Sequence, residues 1–172
     1  MDGSTLRALQ APLKEQYKER PEAALLTLHA AGKLGEGVTC SVETGQALVA
    51  AGLHPATGGD GLSACSGDML LQALVACAGV TLNAVALAIG VELRDATVHA
   101  EGDLDFRGTL GVDRAAPVGF EAIRLRFDLD TDATEEQRAT LIRLTERYCV
   151  VYQTLRQPPA IEVSSGAGLA GS

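Results

Sequence analysis

The sequence is poor in aromatic residues: its 172 residues include no tryptophan, three phenylalanines and three tyrosines. The core must therefore be built from Ala, Val, Leu and Ile, in a composition that is 47% hydrophobic and 21% charged. That composition is typical of a folded globular protein and excludes a disordered chain. The length corresponds to one domain and suffices for a hydrophobic core without disulfides.

Positive charge is also scarce. The chain has 14 Lys and Arg against 22 Asp and Glu, which gives a formal net charge of -8 and a pI near 4.8. Nucleic acid and anionic membrane surfaces are themselves negative, so this balance argues against either as the main partner.

The four cysteines, at positions 40, 65, 77 and 149, form no CxxC pair and no Cys/His cluster with the spacing of zinc ligands. We therefore predict no metal and no other cofactor. The first residues, MDGSTLRALQ, lack the apolar core of a signal peptide. Together these absences predict a cytoplasmic protein, in which a retained thiol indicates chemistry or simple burial rather than a disulfide scaffold.

The first third of the chain predicts a helix followed by a hairpin. Apolar residues at 6, 9, 13 and 17 recur at helical spacing, which predicts an amphipathic helix in the segment 1–22. Polar and apolar residues then alternate at 26–30 and again at 38–42, on either side of the glycine-rich turn 32–37. Residues 44–61 are predicted to be mostly loop, with room for one short helical turn at 47–51.

Residues 69–91 contain no charged side chain and are numerous enough to span a membrane. Gln72, Thr81 and Asn83 interrupt this run, and no aromatic or basic anchors stand at its ends. A helix that is apolar on all sides can equally be the buried centre of a soluble domain. We therefore predict a core helix here, with a membrane span as the alternative.

Two strands and a second long helix follow. Alternation at 98–104 and at 123–129 predicts two half-buried antiparallel strands. The stretch 132–135 has the form of a capping box, and apolar residues from 141 to 155 mark one face of a helix that carries Cys149. A short strand at 161–163 and a flexible tail at 165–172 complete the chain. This order of elements predicts an α+β fold for the domain 23–164.

Two motifs resemble one known family. The segment SGDMLLQALVAC (66–77) is similar to the acidic-residue, apolar-helix, Ala-Cys motif of the OsmC-like family, which includes organic hydroperoxide resistance proteins. The segment YCVVYQTL (148–155) resembles the family's second motif, a Cys on a late helix followed shortly by Thr-Leu. Both motifs occur in the family's order, and the resemblance extends over residues 23–163.

The resemblance implies an OsmC-like fold, in which antiparallel sheets wrap around two long central helices in a domain-swapped homodimer with active sites at the interface. It also implies a thiol-dependent peroxidase that reduces organic hydroperoxides, and hydrogen peroxide less well. The attacking thiolate becomes a sulfenic acid, a second Cys resolves it as a disulfide, and an external dithiol reduces that disulfide. Such a thiolate needs stabilisation, because an unperturbed pKa of about 8.5 leaves few thiols ionised at neutral pH.

Carried over residue by residue, Cys77 matches the attacking Cys, Cys149 the resolving Cys and Asp68 the acidic residue of the first motif. Asp68 and Cys77 are nine residues apart, so at about 100° per residue they face opposite sides of a straight helix. Asp68 must therefore precede the helix, act through a cation, or serve the site of the partner chain.

The resemblance implies that an Arg in the first hairpin loop, held by the acidic residue, stabilises the thiolate. This sequence departs from that pattern, since no Arg lies between positions 21 and 91. Lys33, which follows the turn glycine, takes its place as the candidate cation, with Arg20 as the alternative. Lysine can supply the charge but lacks the planar fork that clamps a carboxylate and a thiolate together. Without the resemblance, Lys33 is predicted to be an ordinary exposed turn residue.

Each thiol also has a purely structural interpretation, because Cys is among the residue types most often buried. On that ground Cys40 is predicted to belong to the core. Cys65 is predicted to be structural, with an alternative role as a second resolving thiol. The departure at Lys33 leaves open another class of function, a non-catalytic OsmC-like binder of a small apolar ligand or a redox sensor.

Overall fold

The computed structural model describes residues 48–111 and 113–165, the strands at 32–34 and 39–43, and the isolated positions 4, 5, 8, 11 and 19. Those five positions are all helical and exposed. The rest of the predicted helix at 1–22, the predicted strand at 26–30 and most of the predicted tail at 165–172 lie outside the described residues.

The first sheet has four strands in chain order: β1 (Gly32–Leu34), β2 (Thr39–Glu43), β3 (Leu48–Gly52) and β4 (Ala64–Cys65). The first three strands are antiparallel, and β4 joins β3 in parallel. The predicted strand around Cys40 is confirmed, whereas the prediction of mostly loop over 44–61, with room for a helical turn at 47–51, is wrong where β3 forms. The sequence LVAAG pairs with β2 over its whole length, and ladder hydrogen bonds to a neighbouring strand outweigh the local helix preference of Ala and Leu.

The central helix α1 (Ser66–Ile89) follows β4 directly and confirms the prediction for the charge-free run. It ends at Gly90, whose φ of 73° is the left-handed conformation that favours glycine and whose N–H donates to the Ala86 carbonyl. One face is buried and contributes five core residues, Leu74, Ala78, Leu82, Val85 and Ala86. The opposite face is open to solvent, and Val80 there is 74% exposed.

By length and composition, α1 is the one helix among the described residues that could cross a membrane, with a mean hydropathy of 1.9 in its most apolar window. A core helix of a soluble protein can have the same composition. Within the described part of the chain, 28% of that window is buried, and residues such as Val80 on the opposite face are exposed.

A long hairpin packs on the buried face of α1. It consists of β5 (Asp95–Leu104) and β6 (Phe120–Asp130), which are antiparallel as predicted; the short helix α2 (Phe106–Thr109) lies in the connection between them. Val98 pairs with Phe127 and Ala100 with Leu125, and these apolar pairs face α1. The opposite face carries charged pairs, such as Arg124 with Glu101 and Asp103. The alternation read from the sequence is therefore the alternation of buried and solvated faces.

The helix predicted after this hairpin is two helices. The first, α3 (Glu135–Tyr148), begins with a capping box between Thr134 and Gln137, two residues beyond the predicted one. Cys149 then has an extended conformation, with φ -74° and ψ 109°, and α4 (Val150–Arg156) follows. The prediction of one continuous helix is wrong. Apolar residues at helical spacing continue on both sides of the break, so the sequence pattern does not show it.

The predicted final strand is also wrong, since Ile161 and Val163 are exposed and pair with no strand among the described residues. β-branched residues form a strand only where a neighbouring edge supplies the hydrogen bonds. Pro158 and Pro159 just before them have no N–H to offer such an edge.

The core lies between α1, the β5–β6 hairpin and the two last helices. One buried cluster joins Leu82, Val85, Ala86 and Val91 to Leu141 of α3. A second cluster joins Leu74 and Ala78 of α1 to Cys149 at the α3–α4 break. A thiol is thus part of the core where the late helices meet α1.

We expect Leu141→Ala to lower the free energy of unfolding by about 2 to 5 kcal/mol, because Leu141 is 0% exposed and its removal leaves a cavity against α1. Leu62→Ala is the matched control, since Leu62 is 88% exposed and the same change should cost little there. Chemical denaturation of both variants at one protein concentration measures the difference. Equal stabilities would contradict the position of Leu141 in the core.

Candidate active site

The two motif cysteines meet in the core. Cys77 lies in the middle of α1 and is half-buried, whereas Cys149 is 1% exposed at the α3–α4 break. Both belong to one apolar cluster, both are free thiols, and their side chains hydrogen-bond to each other. Residues that are 72 positions apart in the sequence (149 − 77) therefore form one two-thiol site.

The surroundings of Cys77 favour its thiolate. Burial works against the charged form, but hydrogen bonds from the Val151 backbone N–H, the Cys149 thiol, the Val150 backbone N–H and the Thr81 hydroxyl together lower the pKa of Cys77 below its ordinary value. Donors that point at a sulfur stabilise it when it is negative and have little effect when it is neutral. Cys77 is therefore the more readily ionised thiol of the pair.

The environment of Cys149 has the opposite effect. Burial raises the pKa of Cys149 above its ordinary value, and the neighbouring Cys77 raises it further, because a second negative sulfur beside a thiolate is unfavourable. One thiol of the pair thus remains protonated while the other ionises. The protonated thiol of Cys149 is in hydrogen-bond contact with Cys77 and can donate to its sulfur.

The break at Cys149 creates this environment. In a continuous helix the Val150 N–H would donate to the Glu146 carbonyl and the Val151 N–H to the Arg147 carbonyl. The extended conformation of Cys149 removes both bonds, and the two N–H groups face Cys77 instead.

Sequence reasoning missed these donors, since it treated the segment as unbroken helix. It also missed Thr81, although its spacing of four residues from Cys77 places both on one face of α1. The Thr81 hydroxyl has a single proton and lies 2.7 Å from the backbone carbonyl of Cys77, so it favours the thiolate only when it turns that proton from the carbonyl to the sulfur.

Of the other sequence-predicted candidates, Asp68 lies away from this site, and Lys33 is described by its backbone alone. Asp68 is exposed in the first turn of α1, about 14 Å along the helix axis from Cys77. Lys33 lies inside β1 opposite Ser41, so the prediction that it occupies the hairpin turn is wrong; its side chain is outside the described residues. The catalytic roles predicted for Asp68 and Lys33 stay predictions.

Cys65 is the residue before α1 and lies about 18 Å along the axis from Cys77. It lines a different cavity, of about 350 Å³, together with Asp68, His54 and Phe106. Within one chain, Cys65 is therefore too far from Cys77 for a disulfide, whose Cα atoms must lie within about 7 Å.

An open cavity of about 400 Å³ adjoins the two-thiol site. Its wall includes Leu74, Ile123, Leu125, Tyr152 and Leu155, which belong to the same apolar cluster as Cys149, whereas the two cysteines themselves do not line it. Three charged side chains, Glu121, Glu146 and Arg156, also line it. Among the described residues, no group of three or more His, Cys, Asp or Glu side chains is arranged to hold a metal ion.

The sequence from 58 to 164 matches the family model of the OsmC-like protein, which includes α1, the β5–β6 hairpin and both cysteines of the site. The chain belongs to the OsmC-like protein family. None of the curated proteins matches the chain in a sequence search.

Solved structures of OsmC-like proteins have the same fold. An OsmC-like protein from Mycoplasma pneumoniae is 18% identical, with a TM-score of 0.65 over 77% of this chain and 89% of that one. An organic hydroperoxide resistance protein from Legionella pneumophila is 18% identical, with a TM-score of 0.61 over 77% and 91% of the two chains. One from Bacillus subtilis is 17% identical, with a TM-score of 0.54 over 77% and 93%. At these identities the comparison establishes the fold alone.

We expect Cys149→Ala to raise the pKa of Cys77, because it removes a thiol that donates to the Cys77 sulfur. Cys149→Ser keeps a donor in the same position and should raise it less. The pH dependence of iodoacetamide alkylation at Cys77, followed by peptide mass spectrometry, measures both. Loss of one such hydrogen bond should slow alkylation at pH 7 roughly two- to tenfold. Identical profiles for the two variants would mean that Cys149 does not donate to Cys77.

Proposed function

We propose that the protein is a thiol-dependent peroxidase that reduces organic hydroperoxides, with Cys77 as the attacking thiol and Cys149 as the resolving thiol. One observation carries this proposal: a thiol whose pKa is lowered by converging donors is in hydrogen-bond contact with a thiol whose pKa is raised. A peroxide reductase with two cysteines needs this asymmetry, because one thiol must attack while the other waits.

In the proposed reaction the Cys77 thiolate attacks one peroxide oxygen of ROOH, and the O–O bond breaks. The sulfur becomes a sulfenic acid, and the alkoxide takes up a proton and leaves as ROH. The Cys149 thiol then attacks the sulfenic sulfur, so that a disulfide forms and one water is released. An external dithiol returns the pair to two thiols, which fits the reducing cytoplasm expected from the sequence.

The cavity beside the thiols supports an organic hydroperoxide as substrate. Its wall is formed mainly by aliphatic and aromatic side chains, and its volume of about 400 Å³ is within the range of small-ligand sites. Hydrogen peroxide has no apolar group to place there, so we expect it to be the poorer substrate. Family membership and similarity to the organic hydroperoxide resistance proteins of Legionella pneumophila and Bacillus subtilis support the same substrate class.

We expect tert-butyl hydroperoxide or cumene hydroperoxide to oxidise the reduced protein so that two of its four thiols are lost. Peptide mapping should find a disulfide between Cys77 and Cys149, and Cys77→Ser should abolish the reaction. Because the pKa of Cys77 is lowered, the rate should reach its plateau below the ordinary thiol pKa and fall as the pH drops through the lowered one.

Cys65→Ser is the control and should leave the reaction intact. A disulfide between Cys65 and Cys77 would remove the resolving role from Cys149 while keeping the attacking role of Cys77. No reaction at all, with four reduced thiols, would favour the other candidate function.

That second candidate is a binder of a small apolar ligand, in which the cysteine pair acts as a redox sensor. The cavity favours it too, since Leu74 and Leu155 line both the cavity and the cluster around Cys149, so that a ligand there would contact the thiol environment. Ligand binding that persists in Cys77→Ser without peroxide turnover in the unmodified protein would support this function over the enzyme.

We further propose a homodimer. Residues exposed on the open face of α1 include Ala73, Ala76 and Val80, and contact between such an apolar surface and water is unfavourable. A partner chain would also give Asp68 and Lys33 a route to Cys77, because within one chain Asp68 lies about 14 Å away along α1. Contributions from both chains are what the family resemblance implies for the active site.

Sedimentation velocity at micromolar concentration should therefore show a dimer. Val80→Asp should shift it toward monomer, because a carboxylate would then be buried at the interface. Leu62→Asp introduces the same charge at a residue that is 88% exposed and lies outside α1, and it should leave the dimer intact. A stable, folded monomer of the unmodified protein would refute the dimer.

A further inference from the structure

The α3–α4 break leaves carbonyls of the last turn of α3 without their helical donors, and the Glu146 carbonyl is one of them. In a continuous helix the Glu146 carbonyl would accept from the Val150 N–H. At the break that N–H faces Cys77, so the carbonyl loses its usual donor. A backbone carbonyl that is partly buried and unpaired is unfavourable, and without a substitute donor the chain would gain by closing the break into regular helix.

The side chain of Gln153 supplies the substitute. Its Nε2 donates to the Glu146 carbonyl at 2.7 Å, across seven residues and over the break. The backbone carbonyl can only accept, so the amide must present its nitrogen to it, and the orientation of the Gln153 side chain follows from its partner. The backbone N–H of Gln153 donates to the Cys149 carbonyl at 2.9 Å, so the residue is bonded on both sides of the break.

We propose that Gln153 is a positioning residue, which holds the break open so that the first-turn N–H groups of α4 face the Cys77 sulfur. Gln153 does not touch the reacting atoms itself. It takes over the Glu146 carbonyl, and Val150 can then turn its N–H toward the thiol. If the helix closed, the Glu146 carbonyl would accept from the Val150 N–H instead of the Gln153 side chain. Cys77 would then lose the Val150 N–H as a donor.

Gln153→Met tests this assignment, because methionine has nearly the same length but no N–H. We expect the pH profile of Cys77 alkylation to move to higher pH and the rate at pH 7 to fall two- to tenfold. The rate at high pH, where every Cys77 is a thiolate, should stay close to that of the unmodified protein. If Gln153 only stabilised the fold, its loss would not slow alkylation at pH 7 while leaving the rate at high pH unchanged.

Gln137→Met is the matched control. Gln137 also uses its side chain to bond a backbone group, since its Oε1 accepts from the Thr134 N–H at 2.9 Å in the capping box of α3. Both variants thus lose one side-chain-to-backbone hydrogen bond, but the capping box is more than two helical turns from the break. An unchanged profile in Gln153→Met, or equal shifts in both variants, would overturn the proposal.

If Gln153→Met does not fold, the unmodified protein decides. Nuclear magnetic resonance should find one proton of the Gln153 side-chain amide protected from exchange, and rapid exchange of both protons would overturn the proposal. The inference rests on the proposed role of Cys77 as the nucleophile, but its readout is alkylation rather than peroxide turnover. If Gln153→Met shifts the profile but the unmodified protein does not reduce peroxides, the proposed peroxidase function is wrong and the role of Gln153 stands. If the protein reduces peroxides but Gln153→Met leaves the profile unchanged, the proposed function stands and the role of Gln153 is wrong.

Discussion

A single break in the hydrogen-bond ladder of the late helix organises the reactive part of this protein. Where Cys149 becomes extended, two backbone N–H groups stop serving the helix and face the sulfur of Cys77. The same turn places the Cys149 side chain in the core, against Leu74 and Ala78 of α1. One local conformation therefore brings the second thiol to the first and also supplies the donors that favour the charged form of the first.

This arrangement depends on α1 as a rigid base. The helix buries one apolar face under the β5–β6 hairpin and the two last helices, and the inward residues of the hairpin form the wall of the cavity beside the thiols. Burial is usually a disadvantage for a reactive cysteine, because a low dielectric environment raises the thiol pKa. Here Cys77 is only half-buried and receives several donors, whereas Cys149 is fully buried and remains a thiol. Position in the core thus separates the chemistry of two identical side chains.

Several features were predictable because they follow from periodicity along the chain. The alternation at 98–104 and 123–129 has the period of a strand with one buried face, and the structure places those residues in β5 and β6. The charge-free run at 69–91 predicted the core helix, since a helix that is apolar on all sides can form the buried centre of a soluble domain. Resemblance to two family motifs added Cys77 and Cys149, and the structure brings these two thiols together. What failed were the strand at 161–163, the helical turn at 47–51 and the unbroken late helix.

By itself, then, the sequence determined the central helix, the β5–β6 hairpin and the faces that they bury, because side-chain polarity at a period of two or 3.6 residues acts locally. Only the tertiary structure decided where the late helix breaks, since apolar residues at helical spacing continue on both sides of Cys149 and record no interruption. It also decided which thiol ionises more readily, because the donors to Cys77 include backbone N–H groups of Val150 and Val151, whose direction does not depend on their side chains. A main-chain donor has no signature in the sequence, and its direction is set by how α3 and α4 pack against α1.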